Sequence, residues 1–233
     1  MKKSLCLAAF FGILSLAFSN TLQAQDPSSE SINPPKAPSR LESVDPNTPG
    51  IRFALGGGYA YRLGKELPNT SSYIQDLTDQ LRHGYNIGGE LHYVFYNGLG
   101  VGVTANFVQS SLSTRSSLTE HQNIIYVGPS MLWRADGQKA AFIGAIGAGG
   151  LFLSDKITSG RQSGKITGST FGAHASIGGE CKLSPATAIG LKVAVNIGSI
   201  KTLKSGGQST KLDDGWSASS LMITAFISFR SRK

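Results

Sequence analysis

GELHYVFYNGLGVGVTANF, residues Gly89 to Phe107, decides the fold. Around Asn97-Gly98 its residues alternate, with Leu91, Tyr93, Phe95, Val101, Val103 and Phe107 in one set. Glu90, His92, Gly100, Gly102, Thr104 and Asn106 make the other. A period of two is that of a β-strand, and Asn-Gly between two such runs is a hairpin turn. In a soluble sheet the apolar set is the core and the other set meets water. The rest of the sequence argues for the reverse.

From Ile51 onward the chain repeats this pattern in eight strands. The expected ranges are Ile51–Arg62, Gly84–Tyr96, Gly100–Ser110, Asn123–Arg134, Lys139–Leu153, Ser169–Lys182, Ala188–Gly198 and Ser219–Arg230. The strand from Lys139 is so rich in Gly and Ala that its facing is ambiguous. Connections alternate in length. Asn97–Leu99, Ala135–Gln138 and Ser184–Thr187 are tight turns, whereas Leu63–His83, Ser111–Gln122, Ser154–Gly168 and Ser199–Trp216 are long. Short turns at one end and long polar loops at the other define an up-and-down barrel of the outer-membrane kind. Within the first long loop, Ser72 and Gln75 form a capping-box pair, with Ile74, Leu77 and Leu81 on one helical face.

The polar set lacks the density of Lys, Glu, Asp and Arg that a water-facing surface carries. It is mostly Gly, Ala, Ser and Thr, which suits the narrow interior of an eight-stranded barrel. Its isolated charges require partners, because an unpaired buried charge is very costly. Arg52, Glu90, His92, Arg134, His174, Glu180, Lys182 and Lys192 are therefore assigned to a structural polar network in the lumen, with Arg62 and Arg230 on the same face. A hairpin centred on Ala186 places Glu180 directly opposite Lys192. The apolar set carries Phe53, Phe95, Trp133 and Phe229 near the short turns. Tyr59, Tyr61, Tyr85, Phe107 and Phe171 lie near the long loops. Two aromatic girdles around an aliphatic band match a bilayer, and each strand reaches the roughly 9–11 residues a tilted span needs.

The N-terminal segment agrees with export. Lys2-Lys3 followed by LCLAAFFGILSLAF (Leu5 to Phe18) and a small residue at Ala24 is a secretory signal peptide, residues 1–24. Its removal takes the net charge from +8 to +6 and leaves Cys181 as the single cysteine, so no internal disulfide is expected. Residues 25–50 are rich in Pro and Ser and poor in large apolar side chains, the composition of a disordered periplasmic linker. Residues 51–233 form the barrel domain.

GGGYAYRLGK (56–65), YVGPSMLWR (126–134) and GAHASIGGECKLS (172–184), set in this framework, resemble small outer-membrane barrels of the OmpA/OmpX type and the outer-membrane β-barrel domain family of Bacteroidota-like bacteria. The resemblance spans Ile51 to Lys233. It implies an all-β, eight-stranded antiparallel transmembrane barrel in the cell outer membrane, inserted by the barrel-assembly machinery as a monomer. It further implies contact with outer-membrane lipids and lipopolysaccharide.

Catalytic and cofactor signals are weak. Ser163-Gly164-Lys165-Ile166 lacks the spacing and following Ser/Thr of a phosphate loop. Gly144 to Gly150 lacks a strand-turn-helix setting, and His83, His92, His121 and His174 show no metal-ligand spacing. No metal, cofactor or catalytic residue is expected. His174-Ala175-Ser176 with Glu180 is similar to the His-x-Ser plus Glu set of the outer-membrane lipid A deacylase, also an eight-stranded barrel. That enzyme works from its outer wall, whereas the register here points these residues inward, as an interior hydrogen-bonded trio. Lys156, Arg161, Lys165, Lys201, Lys204 and Lys211 fall in the long loops, where they either meet lipopolysaccharide phosphates or are simply solvated. Nucleic acid is not an expected partner. The expected role is structural or surface-interactive, with a lipid A-modifying enzyme and a narrow solute or ion channel as the alternatives.

Overall fold

The computed structural model describes residues 49–64, 81–113, 118–159 and 162–231. The leader and the linker through residue 48 lie outside that set. So does the expected helix, apart from Leu81, which is buried.

Ten strands make one antiparallel sheet: β1 (Gly50–Arg62), β2 (His83–Val94), β3 (Leu99–Ser113), β4 (Leu118–Asp136), β5 (Ala140–Ser159), β6 (Gln162–Lys182), β7 (Thr187–Ile197), β8 (Ser199–Ser205), β9 (Gln208–Ser217) and β10 (Ser220–Arg230). Their order is β5-β4-β3-β2-β1-β10-β7-β6-β8-β9, and pairing of β5 with β6 closes the barrel. Eight staves, β1 to β7 and β10, thus form a wall without a free edge. Gly98 makes the first tight turn possible. Its φ of 76° is accessible to glycine, and a Cβ there would collide with the Arg134 carbonyl oxygen.

The side-chain alternation runs as the hairpin sequence requires. Leu91, Tyr93, Val101 and Val103 face outward, while Glu90, His92, Thr104 and Asn106 are buried within the barrel. Phe53, Phe95, Trp133 and Phe229 are exposed on the outer wall toward the short-turn end, and Tyr59, Tyr85 and Phe171 toward the other; Tyr61 and Phe107 are half-buried. The fifth strand's facing is settled: Ala141, Ile143, Ala145, Leu151 and Leu153 point in, and Phe142, Ile146 and Phe152 point out. Inside, two apolar clusters accompany the polar residues. Val94, Leu132, Ile143 and Phe226 form one toward the short turns. Val108, Ile124, Tyr126, Leu151, Ile200 and Met222 form the other nearer the long connections.

Much of what the sequence presents as long loop is strand. β4, β5 and β6 run for 19, 20 and 21 residues, about twice a membrane span. The ladder continues through Leu112↔Glu120, His121↔Lys156 and Ile157↔Gly164. Ser199–Trp216 is the β8–β9 hairpin, joined to the end of β6 through Gly168↔Leu203. Beyond the lipid both faces of these strands are partly polar, so the hydrophobic alternation that marks the spans fades although the hydrogen bonds persist.

Candidate functional site

The inward charges meet in one connected network across the barrel's section. Arg52 on β1 donates from Nε (3.1 Å) and Nη2 (2.5 Å) to Glu180 Oε1 on β6, and from Nη1 to Glu90 Oε2 on β2 at 2.9 Å. Arg134 on β4 donates to the second Glu180 oxygen, and Lys192 on β7 to the second Glu90 oxygen. All five side chains are almost fully buried. Phe226 from β10 lies between them, its ring centroid 5.8 Å from the Arg52 guanidinium carbon and 5.6 Å from Lys192 Nζ. Gly190 makes that ring possible, since a Cβ there would stand 2.6 Å from Phe226 Cζ. Charges from β1, β2, β4, β6 and β7 with one aromatic from β10 therefore fill the section.

Nearer the short turns, Asp136 collects Arg134 (Nε at 2.9 Å, Nη2 at 3.0 Å), Lys182 Nζ at 2.8 Å and Arg230 Nη1 at 3.6 Å. Lys182 is the least enclosed of the sequence-assigned network residues and also donates to the Gly137 carbonyl. Two further network members are absent from the sequence assignment. Asp136 follows Arg134 by two residues and so shares its face, although the sequence pattern places it in a turn. Phe226 stands between Thr224 and Ser228 on the inward face of β10.

The expected opposition of Glu180 and Lys192 is not what the chain adopts. Glu180 pairs with Gly190 and Gly178 with Lys192, a two-residue offset. The turn causes it: Ser184 Oγ accepts from Ala186 N at 3.2 Å and Thr187 N at 3.0 Å, fixing a four-residue turn over Leu183–Ala186. Each charge then finds its counter-ion across the lumen.

Midway along the barrel the charges give way to neutral polar groups. His92 Nε2 lies 2.8 Å from Ser130 Oγ, which lies 2.8 Å from Thr104 Oγ1. His174 stacks on Tyr126 at 5.3 Å and directs Nδ1 to Asn196 Oδ1 at 2.8 Å. His92 Nδ1, His174 Nε2 and the Tyr126 hydroxyl have no protein hydrogen-bond partner in the described residues. The expected trio of His174, Ser176 and Glu180 does not form: His174 is held by Asn196, and Glu180 by two arginines. A carboxylate so occupied cannot orient the imidazole as a serine nucleophile requires.

At the long-connection end, above the apolar band, Arg62 Nη1 donates to Gln122 Oε1 at 2.8 Å and its guanidinium stacks 4.4 Å over Trp216. Gln122 reaches Asp155 at 3.4 Å. Gln122 and Asp155 are register partners, so Glu120, two residues along, is the diagonal neighbour of Asp155 on the inner face. Burial and the neighbouring carboxylate push Glu120 up to about 7, against the pull of Arg62; burial raises Asp155 as well. Among the described residues no three His, Cys, Asp or Glu side chains gather as a metal site, and no helix is long and apolar enough to cross a membrane.

An eight-stranded closed barrel with a lumen packed by side chains and an apolar outer wall is the architecture of small outer-membrane barrels of the OmpA/OmpX type. Comparison of structures agrees. The chain superposes on a major outer membrane protein from Thermus thermophilus with a TM-score of 0.52 at 10% identity, covering 78% of this chain and 99% of that one. It is also similar to the Neisserial surface protein NspA (TM-score 0.43, 14% identity, 78% and 96% covered). A third similar structure is Ail, the attachment invasion locus protein of Yersinia pestis (0.42, 16%, 78% and 97%). At 10% identity the likeness to the Thermus thermophilus protein is one of fold alone. No family model matches the chain, and no curated protein matches it.

Proposed function

We propose that the chain is an integral outer-membrane protein, exported through a cleaved signal peptide, that serves the cell surface by contact and neither catalyses nor conducts. The observation that carries this reading is the Arg52–Glu180–Arg134 and Glu90–Lys192 network, which packs around Phe226 and occupies the section a solute would cross. With the lumen filled, what remains available is the outer wall and the long strands that extend it. These strands are about twice as long as a bilayer requires.

Two measurements test the proposal. The purified barrel in planar bilayers is expected to show no discrete conductance steps, and stable steps in the unaltered protein would refute closure. An epitope inserted between Gly206 and Gly207, the β8–β9 tip, is expected to be reached by antibody on intact cells, while one at Asn97-Gly98 is not. The reverse labelling would overturn the orientation.

A further inference from the structure

The lipid-facing wall is not smooth. Outward positions on β5 run Phe142, Gly144, Ile146, so one missing side chain opens a notch between two large ones. Gly144 is the register partner of Trp133 on β4 and of Ile177 on β6, while Ile146 is the partner of Ala175. Gly144 and Ala175 are therefore diagonal neighbours, with Trp133, Phe142, Ile146 and Ile177 standing around them. The result is an apolar groove of about 520 Å³ on the outside of the barrel. Trp133 and Phe142 meet edge to face at 5.8 Å at its lower end, in the girdle nearest the short turns. The backbone does not require glycine at position 144. Its φ is not positive, and a Cβ there would meet nothing closer than 3.7 Å. The notch is open space, not relief of a crowded strand.

Position decides the occupant. The groove lies within the apolar band, continuous with the lipid-facing wall, so what fills it comes from the bilayer. A methylene takes about as much room as a water's share of the liquid, about 30 Å³, so the volume suits one unbranched chain of roughly 17 carbons. Hydrocarbon lies on either side of the exchange, so packing and not the hydrophobic effect selects the chain. An ill-fitting chain forfeits dispersion contacts with the lining, because a small gap already removes roughly a quarter to a half of each. The lower mouth adds a charge. Lys139 is exposed in the turn that leads into β5, a few residues before Phe142. Its ammonium is held at the level of the short-turn headgroups, where a lipid phosphate lies.

We propose that the groove over Gly144 and Ala175 is a fixed site for one glycerophospholipid of the leaflet on the short-turn side, with an acyl chain in the groove and the phosphate at Lys139. This site rests on the outer-membrane reading above. It adds a lipid that stays with the barrel while the surrounding bilayer exchanges.

The test uses the full mature chain in nanodiscs of palmitoyl-oleoyl phosphatidylglycerol, of branched-chain diphytanoyl phosphatidylglycerol, and of the first lipid mixed with lipid A. The readout is lipid retained per barrel in native mass spectrometry after transfer to detergent. A single palmitoyl-oleoyl lipid is expected to stay bound, and the branched lipid, whose methyl groups would strike the walls, is not. Gly144→Leu fills the notch and should cut retention about tenfold. Gly89→Leu is the matched control: it also faces lipid, on another part of the wall, and its Cβ would meet nothing closer than 3.8 Å. It should leave retention unchanged. Lys139→Gln should lower retention about two- to fivefold, the scale of one exposed charge contact. Gel mobility of unboiled samples checks that each variant folds, and the branched-lipid comparison needs no variant. Equal retention of branched and unbranched lipid, or an unaffected Gly144→Leu, would refute the site. Retention of lipid A in place of phosphatidylglycerol would put the occupant in the other leaflet. A dimer that Gly144→Leu dissociates would make the groove an interface between copies, also overturning the lipid site. Failure of the protein to enter nanodiscs at all would refute the membrane reading and this site with it.

Discussion

Arg52 and Glu180 are 128 residues apart and come from strands on different sides of the barrel, yet they share two hydrogen bonds at 3.1 and 2.5 Å. Neither is adjacent to the other in the sheet. The contact exists because the wall closes, and it makes Glu180 the joint between Arg52 and Arg134.

Glu180→Gln should therefore be more damaging than its conservative shape suggests. It leaves two buried guanidinium groups short of a counter-charge, a loss of about 3–5 kcal/mol by the usual cost of breaking a buried ion pair. Urea unfolding of the detergent-solubilised barrel, followed by gel mobility of unboiled samples, reads the change. An unaltered midpoint would show that the network contributes nothing to stability.

Gly190→Ala addresses the same section without touching a charge. Its new methyl would meet Phe226 Cζ at 2.6 Å and collide with the Gly179 carbonyl oxygen, so the ring must shift from the two cations. A loss of about 1–3 kcal/mol is expected from overpacking. Combining it with Phe226→Leu should restore part of the loss, which a double-mutant cycle would reveal.

The outer wall predicts the opposite sensitivity. Val103→Arg, in the middle of the lipid-facing band of β3, should cost about 2–4 kcal/mol in a bilayer. Gln109→Arg, on the same face near the upper end of the band, should cost far less. Equal effects at the two positions would contradict the placement of the band.

Glu120 gives the upper end a pH dependence. Its folded value of about 7 lies above the ordinary 4.5, so the folded state holds the proton more tightly than the unfolded state. Stability at this end is then fully present below about pH 4.5 and declines as the pH rises through 7. Amide exchange at the tops of β4 and β5 should accelerate between pH 5 and 8, after correction for intrinsic rates. Glu120→Gln should flatten that profile, and an unchanged slope would remove the carboxylate pair as its origin.

The wall is legible in the sequence because lipid on one side and a packed lumen on the other force strict alternation, as in Leu91–His92–Tyr93. The partners are less so. Lys192 meets Glu90 and Glu180 meets Arg52 because closure and stagger bring those faces together, and no local period encodes that geometry. Ser184 moves the β6–β7 register by two residues through hydrogen bonds within a turn. β8 and β9 are hidden because strands outside the membrane need no apolar face. The interior apolar residues, such as Leu132 and Ile143, are masked by the Gly and Ser around them.

One choice of face underlies the whole barrel, and the hairpin of Gly89 to Phe107 tests it most directly. In a Cys181→Ser background, spin labels placed by cysteine at Leu91, Tyr93 and Val103 in bilayers should be relaxed by oxygen dissolved in lipid and not by a water-soluble nickel complex. Relaxation of the Tyr93 label by the water-soluble complex alone would mean that the apolar face is not against lipid, and would contradict the transmembrane barrel outright.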